Sequence, residues 1–72
     1  MADQPRTARE WIDAFATRLG AEAPPEEVVA VLLDLAGEAA HASERTAAPI
    51  ACWMAGRAGL DPAAALALAR EV

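Results

Sequence analysis

With 72 residues, one cysteine and a formal net charge of −5, the chain has room for a single small domain, cannot form an internal disulfide, and carries the wrong sign to track a phosphate backbone. Its six arginines (6, 9, 18, 45, 57 and 70) are spread out instead of gathered into a basic patch, and no run approaches the ~18 apolar residues that cross a bilayer. Nucleic-acid binding and membrane insertion are therefore not expected. The polar start Met1-Ala2-Asp3-Gln4-Pro5 lacks the basic head and apolar middle of a secretory signal, so a cytoplasmic protein is expected.

Residues 1–6 read as a flexible N-terminus and 7–72 as one helical domain. Thr7-Ala8-Arg9-Glu10 has the capping-box spacing and opens a first helix over about 7–19. Trp11, Ile12, Phe15 and Leu19 share one face of it, predicted to pack inward, and Gly20 supplies a left-handed stop. Pro24-Pro25-Glu26-Glu27 starts a second helix over about 25–43, since proline has no amide to leave unpaired and carboxylates suit the positive helix end. Its long apolar stripe, Val28, Val31, Leu32, Leu35 and Ala39, marks it as the central helix, with neighbours on more than one side.

A third helix is predicted over about 47–58, with Thr46 as N-cap, Pro49 tolerated in the first turn and Ile50, Trp53 and Met54 as the inner face. Gly56 and Gly59 loosen or end it. Asp61-Pro62 then pairs an N-cap with a first-position proline to begin a fourth helix over about 62–71, with Leu60 at its entry and Leu66, Leu68 and Val72 among alanines. No segment alternates apolar and polar residues as a half-buried strand does. The fold class expected is all-α, a compact four-helix bundle of short helices, closely approached through alanine. A core this small supplies only ~3–5 kcal/mol of net stability without a staple or a partner.

Polar chemistry concentrates at one place, from His41 to Pro49. At about 100° per residue, Glu27, Asp34, Glu38, His41 and Arg45 fall on one edge of the second helix, and Ser43, Glu44, Arg45 and Thr46 occupy the turn into the third. Two readings stand side by side. In one, this edge is a solvated face laced with i,i+3 and i,i+4 pairs, with His41 bonded to Glu38 or to a backbone carbonyl. In the other, His41, Glu44, Arg45 and Thr46 form a binding corner, in which Arg45 is the forked donor to an anion, His41 a second donor and Thr46 a hydroxyl contact.

Glu38-Ala-Ala-His41 also has the Glu-x-x-His spacing of di-iron bundles, but those need a second such motif and two more carboxylates, so no metal, cofactor or catalytic residue is assigned. Cys52, beside Trp53 on an apolar helix, reads as a small hydrophobe instead of a nucleophile. Trp11 and Trp53 are expected in the core, although burying both is demanding in so small a domain and either could anchor a partner. Trp53 and Arg57 are the candidate interface pair. The glycines around Arg57 lack the strand-loop-helix setting of a phosphate loop.

The run His41-Ala42-Ser43-Glu44-Arg45-Thr46-Ala47-Ala48-Pro49 followed by Trp53-Met54-Ala55-Gly56 resembles the signature of a small actinobacterial helical domain of unknown function. Trp11, Leu19-Gly20 and Leu32-Leu33-Asp34-Leu35-Ala36 are similar too, so the likeness spans almost the whole chain. Domains of that family stand alone or follow MobA-like nucleotidyltransferases, which attach guanine nucleotide to molybdopterin. The resemblance implies a non-catalytic accessory or binding module of molybdenum cofactor biosynthesis or molybdoenzyme assembly, with a nucleotidyltransferase or a molybdenum enzyme as protein partner. It carries over no catalytic residue, because the nucleotidyltransferase's glycine-rich loop and metal carboxylates belong to the other domain. His41, Glu44, Arg45 and Pro49 match the signature without known duties. The residues alone support a second possibility, a homodimerising or subunit-docking helical module with no ligand of its own.

Overall fold

A computed structural model describes residues 6–72 and folds them into four helices: α1 Ala8–Leu19, α2 Glu26–Ala42, α3 Ala47–Ala58 and α4 Pro62–Ala69. The chain is all-α, as its patterning predicts, with no strand among the described residues. Of the flexible N-terminus expected over 1–6, residues 1–5 lie outside the described residues.

Local punctuation sets most of the helix ends. The Thr7 hydroxyl accepts from the Glu10 amide at 3.1 Å while the Glu10 carboxylate accepts from the Thr7 amide at 2.9 Å, which completes the capping box. Gly20 (φ 72°) and Gly59 (φ 73°) close α1 and α3 in the left-handed conformation. In each stop the amide of the next residue reaches back to a carbonyl in the last turn, Ala21 to Ala16 at 3.0 Å and Leu60 to Ala55 at 3.2 Å. Asp61 caps α4 by accepting from the Ala63 amide at 3.2 Å, and Pro62 takes the first helical position.

Helix ends differ from the sequence expectation by one residue at the start of α1 and at both ends of α2, and by two at the end of α4, which stops at Ala69 instead of 71. Pro25 has extended backbone (ψ 166°) and precedes the helix, so α2 begins at Glu26. Thr46 occupies the N-cap position of α3 but makes no capping bond, because its backbone is already helical (φ −66°, ψ −18°) whereas a capping side chain needs an extended backbone to reach the first-turn amides. The turn supplies its own acceptors: the Glu44 and Arg45 carbonyls take the amides of Ala47 and Ala48 at 2.9 and 3.1 Å.

α2 is the central helix. It packs against both α3 and α4, which scarcely touch one another. The core is correspondingly narrow: Leu35, 3% exposed, is enclosed with Ala65 and Leu66, and Val31, Leu32, Cys52, Ala55 and Ala69 pack around them. The Cys52 thiol points at the Leu32 carbonyl at 3.9 Å, across the α2–α3 contact. α1 stands apart, with no Cα within 8 Å of another helix. It is fastened through the connection to α2, where Arg9 donates to the Pro24 carbonyl at 2.8 Å and lies 3.3 Å from Asp13 and 3.9 Å from Glu26. The molecule is accordingly elongated, 46 × 24 × 18 Å, with a radius of gyration of 13.6 Å where close packing of this length gives about 11 Å.

The predicted inner faces of the first and third helices are corrected by this arrangement. Trp11 and Trp53, expected in the core, are 54% and 66% exposed, and Phe15, Leu19, Ile50 and Met54 are exposed with them. α1 has no helix to bury its aromatic face against. α3 meets α2 through its small side chains, Cys52 and Ala55, because a close approach to Leu35 leaves no room for large ones.

Candidate functional site

The corner between α2 and α3 is built by the end of one helix and the uncapped start of the next. Ser43 closes α2 by donating both its amide and its hydroxyl to the Ala39 carbonyl, at 3.2 and 2.9 Å. The turn at 44–46 then delivers the chain to Ala47. His41, Glu44, Arg45 and Thr46 are all exposed, and none of their side chains has a hydrogen-bond or ion-pair partner among the described residues. The expected Glu38–His41 pair does not form. Glu38 instead reaches across to Arg70 of α4 at 3.6 Å, a partly exposed pair of modest worth.

The four corner residues do not face one site. Glu44 and Thr46, with Ser43, form the polar rim of a hollow of about 690 Å³ whose floor is Ala47, Ile50, Ala51 and Met54 of α3. His41 lies around the helix, in a shallower hollow of about 300 Å³ shared with Leu33, Asp34, Gly37, Glu38 and Arg70. Arg45 borders neither. An anion held by His41, Arg45 and Thr46 together is therefore not what this corner is shaped for. Asp34, Glu38 and His41 share their hollow, yet no three His, Cys, Asp or Glu side chains converge well enough among the described residues to grip one ion. Arg70 was invisible as a member of this cluster, since only the α2–α4 packing brings it there.

A second surface matters more than the sequence indicates. Between α3 and α4, over Leu35, runs an apolar furrow of about 300 Å³ walled by Met54, Leu60, Leu68 and Val72. Ala51 and Met54 belong to both this furrow and the larger hollow, so the two are continuous. Trp53 and Arg57, the candidate interface pair, stand exposed on α3, Trp53 about one sixth of a turn from Ile50 and Arg57 about 20° from it. On α1 the Trp11 and Phe15 rings pack against one another, centroids 4.9 Å apart and tilted by 31°, between Arg6 and Arg18.

A family model for a domain of unknown function, DUF6457, matches residues 3–72. The chain belongs to the DUF6457 family. That agrees with the resemblance to a small helical domain of unknown function, and the match covers the corner, the furrow and α1 alike. No curated protein and no solved structure matches this DUF6457 domain. Among the described residues no helix is long and apolar enough to cross a membrane.

The sequence missed the furrow. Leu60, Leu68 and Val72 are scattered around α4 and its entry without a clear stripe, and only the separation of α3 from α4 turns them into one surface. The signal available was a surplus: more large apolar side chains than so short a chain can enclose.

Proposed function

We propose that this DUF6457 domain is a non-catalytic accessory module that binds a protein partner at the hollow between the 43–46 turn and α3. The observation that supports the reading is the composition of that hollow, where an apolar floor of Ile50, Ala51 and Met54 meets a rim of Ser43, Glu44 and Thr46. Apolar centre and polar rim are the anatomy of a protein interface. Trp53 and Arg57 flank it, and these are the residue types that most often dominate binding energy. The resemblance to domains that follow MobA-like nucleotidyltransferases supports a partner class: a nucleotidyltransferase of molybdenum cofactor biosynthesis or a molybdenum enzyme. His41 and Arg45 then serve as peripheral charged contacts outside the hollow.

Calorimetric titration of the chain with such a nucleotidyltransferase and with a molybdenum enzyme tests this. Saturable binding is expected, weakened about tenfold or more by Trp53→Ala or Ile50→Glu and about threefold or less by His41→Ala or Arg45→Ala. Binding that ignores Ile50→Glu removes the hollow from consideration, and no binding to either protein removes this partner class.

A further inference from the structure

Two apolar surfaces of this chain have no helix covering them, and they complement each other. One is the face of α1, where Trp11, Phe15 and Leu19 are all about half exposed or more. The other is the furrow between α3 and α4, walled by Met54, Leu60, Leu68 and Val72 and almost wholly apolar. Trp11 to Leu19 covers about 12 Å of helix and the α3 wall of the furrow, Ala51 to Ala58, about 10 Å.

On α1 Arg9 and Arg18 balance Glu10 and Asp13, and next to the furrow residues Arg57 and Arg70 balance Asp61 and Glu71, so apolar shape and not charge pairs the two surfaces. Arg6 and Arg18 flank the aromatic pair on α1. An aromatic helix face is thus matched by an apolar receptor of the same chain.

Area and tethering decide which copy of the receptor it meets. The accessible surface of 5819 Å² exceeds by more than about 1,000 Å² what a compact chain of this mass exposes, and a stable interface needs about 800 Å² from each partner. Arg9, bonded to Pro24 and beside Glu26, ties α1 to the start of α2 and keeps it clear of its own α3 and α4. We propose that the chain forms a symmetric dimer in which α1 of each copy lays Trp11, Phe15 and Leu19 into the furrow of the other. The interface is isologous and closed, so it stops at two copies. The furrow shares Ala51 and Met54 with the floor of the partner-binding hollow, but Phe15 and Leu68, which test the exchange, lie outside that hollow, so the two readings fail separately.

Sedimentation of the full chain, followed with Trp11 emission in the Trp53→Phe chain, tests it. The expected result at 100 µM is twice the 7.5 kDa chain mass, with Trp11 emission moving to the red on dilution as the indole leaves the furrow. Phe15→Glu and Leu68→Glu, both at positions exposed in the single chain, are each expected to halve the mass with helix content retained, and Phe15→Leu to keep the dimer. Mixing the two charged variants recovers a heterodimer through the one intact pair, at least tenfold tighter than either variant's self-association.

A wild-type chain that stays at single mass overturns the proposal, as does a dimer that survives either charged variant or a mixture that recovers nothing. The dye anilinonaphthalene sulfonate identifies the other occupants: dye bound by a monomeric wild type and lost in Leu68→Glu leaves the furrow open to a foreign helix, and no dye bound means α1 closes on its own furrow. Either outcome overturns the exchange and leaves the Ile50→Glu titration to judge the hollow separately.

Discussion

α1 and α2 are both amphipathic and carry acidic residues in their first turns, yet one stands outside the packed helices and the other organises them. The difference is not in helix-forming signals. α1 has the better ends, a complete capping box and a left-handed glycine stop, whereas α2 starts at a proline without a side-chain cap. What distinguishes them is how their apolar residues are shaped and spaced. Leu35 and the β-branched and leucine side chains before it lie against alanines of α3 and α4, so backbones approach and the groups interlock. The large rings of α1 reach no such surface of their own copy. Caps decide where a helix begins and ends, and complementarity decides whether it is held.

Substitutions can break this contrast or sharpen it. Leu35→Ala empties the enclosed core position and is expected to cost ~2–5 kcal/mol, as much as the whole fold of so small a domain supplies; a urea titration should find the variant largely unfolded. Its counterpart, Trp11→Ala, is expected to move the unfolding midpoint of the separated chain by less than ~0.5 kcal/mol, and a loss as large as that at Leu35 would mean that α1 is packed after all. Gly59→Ala forces a side chain into the left-handed region between two packed helices and should lower stability by ~1–2 kcal/mol, read as a fall in Tm of several degrees. Gly20→Ala carries the same local strain, but its loss should register as faster amide exchange in α1 with little change in the global midpoint.

Removing the α1 cap by Thr7→Ala is expected to cost about 1 kcal/mol of local helix stability, again visible in exchange of the α1 amides and not in those of α2. The smallest effect is expected for Arg70→Gln. The Glu38–Arg70 pair is partly exposed, so its loss should change stability by ~0.5 kcal/mol or less and fade further in salt.

Helix number, order and ends were legible because caps and glycine stops act over a few residues. Faces were legible only for α2, whose stripe is long enough to specify a buried side by itself. For α3 the rule that large apolar residues lie inside failed, because close packing against Leu35 favours Cys52 and Ala55, and Ile50, Trp53 and Met54 were displaced outward. The polar corner shows the same division. Adjacency in sequence joined His41, Glu44, Arg45 and Thr46, but a helix end followed by a turn points neighbouring side chains in different directions, and Glu44 and Thr46 part company with His41. Arg70 joined Glu38 from far along the chain through packing that no local pattern encodes.

The scarcity of contact between α3 and α4 has a kinetic consequence. Each meets α2 but hardly the other, so either can join α2 without waiting for its neighbour, and two parallel routes lead to the same end. Helical hairpins closed by short connections impose little loop entropy, and chains of this kind fold in microseconds to milliseconds. On both routes α2 forms first or together with its first companion, which makes Leu35 and Leu32 the positions where substitution should slow folding itself, while changes in α1 leave the rate untouched.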